Sequence, residues 1–419
     1  MVTGHSGRQH PHGLSRCLHS SFRTRKERSI MTPTPIEFAG YLRADGRVGV
    51  RNHLLVLSVG HLTGPTARRI GRTLPDARVV AMPYGSGLVG EDRALQVRSI
   101  IGLGQHPNVG AVLMIGADGP KLKMLHEAIG KSGQTITTLC LDDHGHDALT
   151  LSDRGLREGA RLLREISRHR RTSVPASALL LGVECGRSDP SSGIVANPLI
   201  GRVVDTLVEL GGRALFGETM EWLGAEHLLR ARGRSPQIGQ ALVDAVVRRE
   251  RLAVTHGLDL MGNNPNPTNI AAGLSTIEEK SLGSIAKSGS QPIESVVAIG
   301  DPIDRPGLHA MDAPSFSPES LTGFVASGAQ LMLFSTGVGN SYVSALAPTI
   351  KLSANPEACR ALAEQLDFDA SEVTRGRVSP EDAARDLLAL CMEIASGTLT
   401  WGEVLDEGDE VVSRLGEAL

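Results

Sequence analysis

The chain has 419 residues, of which 41% are apolar and 21% charged, and its formal net charge is −3. This length exceeds what one hydrophobic core usually supports, so two or more domains are expected. Aromatic residues make up only 3% of the chain. We therefore expect no nucleic-acid partner, because base stacking needs aromatic side chains. The sequence contains no run of about eighteen apolar residues, so no membrane span is predicted.

The five cysteines contain no Cys-x-x-Cys pair, so neither a disulfide framework nor a structural zinc site is indicated. This cysteine usage is typical of the cytoplasm. Residues 1–30 carry six basic side chains and one acidic one, and Met31 follows directly. They lack the apolar segment of a secretory signal. We expect residues 1–35 to be a disordered or non-native basic extension.

From Arg51 onward, apolar runs alternate with amphipathic stretches. Such alternation predicts an α/β fold, with parallel sheets covered by helices. We predict two α/β domains, residues 36–170 and a catalytic domain of residues 175–419. The predicted strands are Leu54–Val59, Arg78–Met82, Ala111–Ile115, Thr135–Leu141, Ala178–Val183, Arg213–Phe216, Ser295–Ile299, Leu331–Phe334 and Thr349–Leu352. The predicted helices include Arg93–Leu103, Lys121–Ile129, Ser152–Arg168 and Leu242–Val254.

A loop before the first of these strands contains Arg43, Arg47, Arg51 and Asn52. Guanidinium groups bind carboxylates, sulfonates and phosphates through paired hydrogen bonds, so this loop favours an anionic substrate. A surface hairpin with solvated arginines is the alternative. Further along, the segment 142–147 contains a His-x-His pair, which is typical either of a metal site or of a polar loop.

Two polar clusters each follow a predicted strand, one at 184–189 and one at 217–227. Open α/β sheets place their sites at the carboxyl ends of strands, so these clusters predict a shared site. Glu218 and Glu221 are three residues apart and could instead share a solvated helix face. Cys185 is a nucleophile, a soft metal ligand or simply a small buried residue.

Two later segments also contain groups suited to catalysis or anion binding. Glu278 and Lys280 provide a base and a cation on one predicted helix. The alternative is that they form an exposed helix start without a catalytic role. Segment 335–340 follows a strand with small residues, which allows backbone N–H groups to approach an anion. It lacks the P-loop lysine, so nucleotide binding is weakly supported.

Several ordered motifs resemble the altronate and galactarate dehydratase family, including its sulfolactate sulfo-lyase branch. The motifs are Gly40-Tyr-Leu-Arg-x-Asp-Gly-Arg-Val-Gly-Val-Arg-Asn52, Glu184-Cys-Gly-x-Ser-Asp189, Ser192-Gly-Ile-x-Ala-Asn-Pro198, Gly217-Glu-Thr-x-Glu221, Gly224-Ala-Glu-His227 and Glu278-Glu-Lys-Ser-Leu-Gly283. The resemblance implies a lyase that removes the proton next to a carboxylate and expels water or sulfite, giving a 2-keto acid. It also implies a divalent metal, Fe²⁺ or Mn²⁺/Mg²⁺, that stabilises the enediolate.

The resemblance assigns roles to particular residues. The implied catalytic residues are Glu218, Glu221, His227, Glu278 and Lys280. The implied substrate-binding residues are Arg43, Arg47, Arg51, Asn52, Ser188, Asp189, Asn197, Gly337, Gly339 and Asn340. The implied metal ligands are Glu184, Cys185 and Glu226.

The chain departs from the dehydratase pattern at two positions where those members tend to have cysteine, here Leu88 and Gly119. An iron site built on those cysteines is therefore not expected. Because few residues precede Gly40, the resemblance also implies a separate small subunit that carries a substrate-gating module. We further expect a homo-oligomer. The alternative function is a non-catalytic anion-binding paralogue that kept the fold.

Overall fold

The computed structural model describes residues 36–414 and Gly416, so the predicted extension at residues 1–35 lies outside the described residues. The strands are β1 Glu37–Leu42, β2 Val48–Gly49, β3 His53–Ser58, β4 Ala77–Ala81, β5 Val109–Gly116, β6 Thr135–Cys140, β7 Thr172–Pro175, β8 Leu180–Cys185, β9 Arg213–Phe216, β10 Ile293–Ala298, β11 Gly307–Asp312, β12 Leu331–Ser335, β13 Val343–Ser344, β14 Thr349–Ser353, β15 Phe368–Asp369 and β16 Gly408–Asp409. The helices are α1 Gly64–Thr73, α2 Gly90–Gly104, α3 Gly119–Gly130, α4 Ala148–Ile166, α5 Asn197–Glu209, α6 Glu226–Arg232, α7 Pro236–Thr255, α8 Pro267–Ala271, α9 Ile277–Ile285, α10 Ser317–Ala326, α11 Pro356–Ala361, α12 Ser371–Thr374, α13 Pro380–Ala395 and α14 Trp401–Val404.

A four-stranded parallel sheet has the order β4–β3–β5–β6. Its central strands are continuous apolar runs because both faces are covered by helices. Leu54 and Val56 pack with α1 and α4, whereas the alternate residues Leu55 and Leu57 pack with α2 and α3. The period-two alternation of a strand thus divides one apolar run between two cores.

A seven-stranded parallel sheet has the order β10–β11–β9–β8–β12–β14–β15. Helices α5, α7 and α13 share one apolar core with this sheet. Helix α10 lies in a core that also contains residues of the four-stranded sheet. A Cβ at Gly102 of α2 would lie 2.0 Å from the Ala326 carbonyl oxygen of α10, so glycine permits this close packing. Strand β1 pairs antiparallel with β2 and β7.

The predicted α/β class, the nine predicted strands and the four predicted helices are confirmed, with ends shifted by a few residues. Strand β11 was not predicted, since its sequence places His309 in the middle of the run. The imidazole is buried and hydrogen-bonds Ser295 at 2.8 Å, which allows a polar residue inside a central strand. The division into domains at residues 170–175 stays a prediction. Among the described residues, the structure contains no helix long and apolar enough to cross a bilayer.

Candidate active site

A cavity of about 600 Å³ lies next to the carboxyl ends of β8 and β9. Strand β8 ends at Cys185, and the segment after β9 supplies Met220 and Glu221. One part of the wall is charged or polar, and another part is apolar. The lining residues are Cys185, Gly186, Arg187, Met220, Glu221, Arg249, Leu252, Ala253, Leu258, Leu260, Asn263, Asn264, Asn266, Asn269, Lys280, Pro314, Ser315, Phe316, Ser317, Pro318 and Asn340.

A buried cluster adjoins the floor of this cavity, and its members Cys185 and Glu221 line the cavity. The Cys185 Sγ lies 3.5 Å from Glu221 Oε2, 3.7 Å from Glu218 Oε2 and 3.3 Å from Lys287 Nζ. The Cys185 backbone N–H donates to Glu218 Oε2 at 3.2 Å. Glu218 and Glu221 are 0% and 4% exposed, which overturns the alternative of a solvated helix face.

Two lysines neutralise these carboxylates. Lys280 pairs with Glu221, and Lys287 Nζ lies 2.6 Å from Glu218 Oε2. Lys287 also donates to Ser284 Oγ at 2.6 Å. Lys280, Ser284 and Lys287 are spaced by four and then three residues, so the helical periodicity of α9 and the turn after it places them on one face.

Close packing of small residues brings this helical face to the strand ends. A Cβ at Gly193 would lie 3.0 Å from the Gly283 Cα, and a Cβ at Gly283 would lie 2.9 Å from the Gly193 Cα. Gly193 belongs to a π-helical turn, Ser192–Ala196, that precedes α5. Irregular turns of this kind are frequent at functional sites.

Two residues at the site have left-handed backbone conformations although neither is glycine. Arg187 has φ of +54° and Glu218 has φ of +67°. Such a conformation costs about 1–2 kcal/mol per residue and persists only where surrounding contacts fix it. For Glu218 those contacts are the Cys185 N–H and the Lys287 ammonium. Both strained positions follow a strand end, where the chain turns side chains toward the cavity floor.

Burial and charge give the acidic groups different protonation states. Burial, reinforced by the Glu218 carboxylate, raises the pKa of Glu184 well above its ordinary value. Burial and Glu221 raise the pKa of Glu218 to about 7, against the opposing effect of Lys287. Burial raises the pKa of the Cys185 thiol to about 12. Burial therefore favours the protonated forms of the Glu184 carboxyl and the Cys185 thiol.

Glu221 and its lysine partner are charged. Burial opposes ionisation of Glu221, but Lys280 and Lys287 outweigh it and lower the pKa of this carboxyl. Burial also opposes ionisation of both lysines, and the neighbouring Glu221, Glu218 and Cys185 raise the pKa of each above its ordinary value. An ionised carboxylate beside an ammonium therefore faces the cavity.

Donor atoms of Cys185, Glu218 and Glu221 all lie within 4.8 Å of one another, so this group could hold a metal ion. A thiol and two carboxylates are suitable donors for a transition metal. The buried Glu184 Oε1 adjoins this cluster in sequence and has no hydrogen-bond partner in the described part of the chain. A buried carboxyl oxygen without a partner is a further available donor.

The comparisons with known proteins agree with this architecture. A family model described as D-galactarate/Altronate dehydratase, C-terminal, matches residues 176–418. A second model, described as D-galactarate dehydratase/Altronate hydrolase, second domain, matches residues 40–167. The chain belongs to the altronate and galactarate dehydratase family. The predicted family is confirmed.

Individual relatives of this family member are lyases. (2R)-sulfolactate sulfo-lyase subunit beta of Chromohalobacter salexigens is 34% identical over 389 residues, which cover 91% of this chain and 98% of the relative. Altronate dehydratase of Bacillus subtilis is 30% identical, with coverage of 91% and 78%. Galactarate dehydratase (L-threo-forming) of Escherichia coli is 28% identical, with coverage of 86% and 73%.

Three residues implied by the family motifs lie away from the buried cluster. Glu226 begins α6, and its carboxylate accepts the Gly224 N–H at 2.6 Å. His227 and Glu278 have exposed side chains and do not line the cavity. Glu278 is two residues from Lys280 on α9, so it points to a different face of that helix.

The side chains of the arginine loop make hydrogen bonds to other parts of the chain. Arg43 donates to the carbonyls of Pro107 and Arg51 and to Asn52 Oδ1 at 2.7–2.8 Å. Asn52 in turn donates to the Ile166 carbonyl at 2.9 Å. None of these side chains lines the cavity.

The other two arginines of this loop are also anchored. Arg47 bonds Asp45 at 2.7 Å, and Arg51 bonds both carboxylate oxygens of Glu403 at 2.7 and 2.8 Å. Arg47 also donates to the Gln105 carbonyl at 2.7 Å, so both guanidinium groups join segments distant in sequence. The arginine loop is therefore not part of the active-site cavity.

The polar residues after β8 and β12 form the frame of the site. Asp189 accepts from Ser192 and from Asn355, and Asn197 donates to the Gly283 carbonyl at 2.8 Å. A Cβ at Gly337 would lie 2.5 Å from Asp189, so glycine permits that contact.

Other frame residues approach the cavity more closely. Gly339 accepts from Arg187 at 3.0 Å, and Asn340 lines the cavity. Ser188 is buried, and its Oγ has no partner in the described part of the chain.

Several site residues were not predicted. Lys287 and Ser284 complete the cluster, and their spacing from Lys280 was the available signal. Arg187 and Arg249 supply the cationic wall. Arg249 is partly neutralised by Asp312 at 2.8 Å, whereas Arg187 has no carboxylate partner within residues 36–414.

Proposed function

We propose that this protein catalyses β-elimination from a small anionic 2-hydroxy acid and gives a 2-keto acid. The observation that carries the proposal is the ionised Glu221 carboxylate paired with Lys280 at the floor of a cationic cavity. A substrate of sulfolactate or sugar-acid type is supported by the substrates after which the relatives are named. The near-complete coverage of the sulfo-lyase subunit favours the sulfolactate type.

The chemistry requires a base beside the carbon that carries the substrate hydroxyl. Glu221 takes the proton from C2, and the electrons of that C–H bond form the C2–C3 double bond. As this double bond forms, the bond from C3 to the leaving group breaks, and its electron pair leaves with sulfite or hydroxide. Lys280 stabilises the negative charge that develops on the substrate carboxylate. The resulting enol takes up a proton at C3 and becomes the 2-keto acid.

Arg187 and the asparagine amides bind the anionic substrate. The free face of the Arg187 guanidinium suits the planar carboxylate or the sulfonate, to which it donates paired hydrogen bonds. The loop 263–269 presents four asparagines to the cavity, which can both donate to and accept from hydroxyl groups. Ser315 Oγ lies at the cavity wall without a partner among the described residues and supplies one more polar group.

A divalent metal, Fe²⁺ or Mn²⁺/Mg²⁺, is the second part of the proposal. Cys185, Glu218 and Glu221 would hold it, and Glu184 is a further available donor. The thiol favours Fe²⁺ over Mg²⁺, which prefers oxygen ligands. When bound, such an ion supplies Lewis-acid stabilisation of the enediolate.

A separate small subunit is the third part. The sulfo-lyase relative is itself named as subunit beta, which supports a partner chain for this protein. We also propose that the chain forms a homo-oligomer. Co-purification with a small protein encoded next to it, followed by measurement of the mass of the complex, tests both statements.

The test of the function is a substrate panel with the chain and its small subunit, assayed with and without added Fe²⁺, Mn²⁺ or Mg²⁺. We expect a 2-keto acid from (2R)-sulfolactate, altronate or galactarate, detected by semicarbazide absorbance, with sulfite released from the first. Glu221→Gln is expected to abolish turnover, and the exposed Glu364→Gln is the matched control. Saturable substrate binding without any keto acid would instead establish the non-catalytic anion-binding paralogue.

A further inference from the structure

A second cavity lies at the carboxyl edge of the four-stranded sheet. It consists of two adjoining spaces of about 470 and 400 Å³, which share Gly85, Ser86, Asp118 and Lys121 in their walls. None of the residues lining these spaces lines the active-site cavity. Their combined size is that of a metabolite-binding pocket.

The sheet order explains why a crevice forms there. Strand β3 lies between β4 and β5, so the chain leaves the carboxyl ends of β3 and β5 toward opposite faces of the sheet. Ligands of open α/β sheets bind at such a switch point. The loop after β3 contributes Gly60 and Thr63 to the wall, the loop after β5 contributes Asp118, and the first turn of α3 contributes Lys121.

Two cations face this cavity without a carboxylate side chain as partner. The Lys121 Nζ donates to the Gly85 carbonyl at 3.1 Å, to Gln96 Oε1 at 3.3 Å and to the Val59 carbonyl at 3.4 Å, all of which are neutral acceptors. The Arg93 guanidinium makes no hydrogen bond or ion pair within the described part of the chain.

The single acid in the wall is already engaged. Asp118 Oδ1 accepts the Lys121 backbone N–H at 3.0 Å as the cap of α3. Burial and Arg93 lower the pKa of the Lys121 ammonium, while Asp118 raises it. The cavity therefore has an excess of positive charge that a bound anion would neutralise.

The buried and half-buried lysines of the chain differ in the charge of the groups that accept their hydrogen bonds. Lys280, Lys287 and Lys351 each have a carboxylate within 4.0 Å. Lys121 is half-buried and has only neutral acceptors. Such a cation is stabilised when an anionic ligand takes the place of the missing carboxylate.

We propose that this second cavity binds a tetrahedral oxyanion, the phosphate or sulfonate head group of a metabolite-sized molecule. Lys121 and Arg93 contact the head group, and the adjoining space accepts the organic part. The site is separate from the active-site cavity, and the proposal does not rest on the lyase function.

Isothermal titration calorimetry of the full chain tests this site. The probes are inorganic phosphate, glycerol 3-phosphate and 2-hydroxyethanesulfonate, and Arg187→Gln is used as the background to remove anion binding at the active-site cavity. We expect one organic probe to bind saturably and more tightly than inorganic phosphate. Arg93→Gln and Lys121→Met are each expected to raise its Kd at least tenfold, while Lys123→Met, an exposed lysine on the same helix, leaves it unchanged.

The variants also separate binding from folding. Lys121→Met removes bonds that join α3 to α2 and to the loops after β3 and β4, so its circular dichroism and thermal melting are compared with those of the parent. Arg93 makes no hydrogen bond or ion pair with the residues that the structure describes, so Arg93→Gln keeps the test valid even if Lys121→Met unfolds. Absence of saturable binding by all probes, or an unchanged Kd in Arg93→Gln, overturns the proposal.

Discussion

Two buried lysine–glutamate pairs lie beside one another and differ in what they face. Lys280–Glu221 and Lys287–Glu218 both connect the α9 segment with the chain after β9. Lys280 and Glu221 are 6% and 4% exposed and line the cavity, whereas Lys287 and Glu218 are 0% exposed and do not line it. We propose that the pair that substrate can reach serves catalysis, whereas the enclosed pair fixes the backbone.

Of the two lysine replacements, that of the cavity-facing Lys280 gives the larger predicted effect on turnover. Lys280→Met removes the ammonium that stabilises the developing negative charge, so we expect kcat to fall by about 10²–10⁴-fold. Steady-state kinetics on the substrate identified by the panel measure this, with Lys123→Met as control. A Lys280→Met enzyme with parental kcat would break the distinction between the two pairs.

Replacing the enclosed lysine is expected to affect stability most. Lys287→Met leaves Glu218 buried without its cation, which costs about 3–5 kcal/mol of unfolding free energy. Urea denaturation measures the loss of unfolding free energy. This loss should exceed the loss in Lys280→Met, because Glu221, the partner of Lys280, borders the cavity. Equal losses in both variants would show that exposure to the cavity does not separate the pairs.

The buried carboxyl of Glu410 shows how burial shifts a pKa when no lysine is paired with the carboxyl. Among the described residues, Glu410 accepts from the neutral donors Ser344, Ala345 and Leu346, and burial raises its pKa to about 7 against the effect of these bonds. Its ordinary value is 4.5, so its protonated form stabilises the fold. That contribution is complete below about pH 4.5 and is lost as the pH rises through 7.

Glu410→Gln should therefore remove part of the pH dependence of stability. Between pH 4.5 and 8.5, we expect the unfolding free energy of the parent to fall by up to roughly 3 kcal/mol more than that of the variant. Urea denaturation at the two pH values measures this difference. Parallel pH profiles would contradict the neutral environment assigned to Glu410.

The smallest predicted effect separates substrate binding from the chemistry of the Lys280–Glu221 pair. Arg187 lies at the wall of the cavity and holds the substrate anion equally before and during the reaction. Arg187→Met should therefore raise KM by about tenfold, since a charge-assisted hydrogen bond is worth about 1.5–3 kcal/mol, and leave kcat within a few-fold. A loss confined to kcat would place Arg187 in the chemical step instead.

Much of this organisation could be predicted from the sequence because it depends on local patterns. Apolar runs located the strands, and the acidic residues after them located Glu184, Glu218 and Glu221. These signals are reliable since parallel strands are buried on both faces and their carboxyl ends meet at one edge. Lys280 was predicted from the base and cation on one predicted helix and again from the family motif.

The rest depends on contacts between distant segments. Arg51 was expected to bind substrate, yet its carboxylate partner Glu403 is 352 residues away and cannot be read from the loop. Glu278 and Lys280 are two residues apart, and only the docking of α9 decides which one is buried. Lys287 stands alone in its local sequence, so its role emerges only when helical spacing is combined with Gly193–Gly283 packing.

The most direct test of the account follows the hydrogen on C2 of the substrate. Substrate deuterated at C2 is incubated with the parent, Glu221→Gln and Glu364→Gln, and release of deuterium to water is measured by NMR. We predict release at the rate of keto-acid formation in the parent and Glu364→Gln, and at least a hundredfold slower in Glu221→Gln. Release from Glu221→Gln at the parental rate would contradict the assignment of Glu221 as the base.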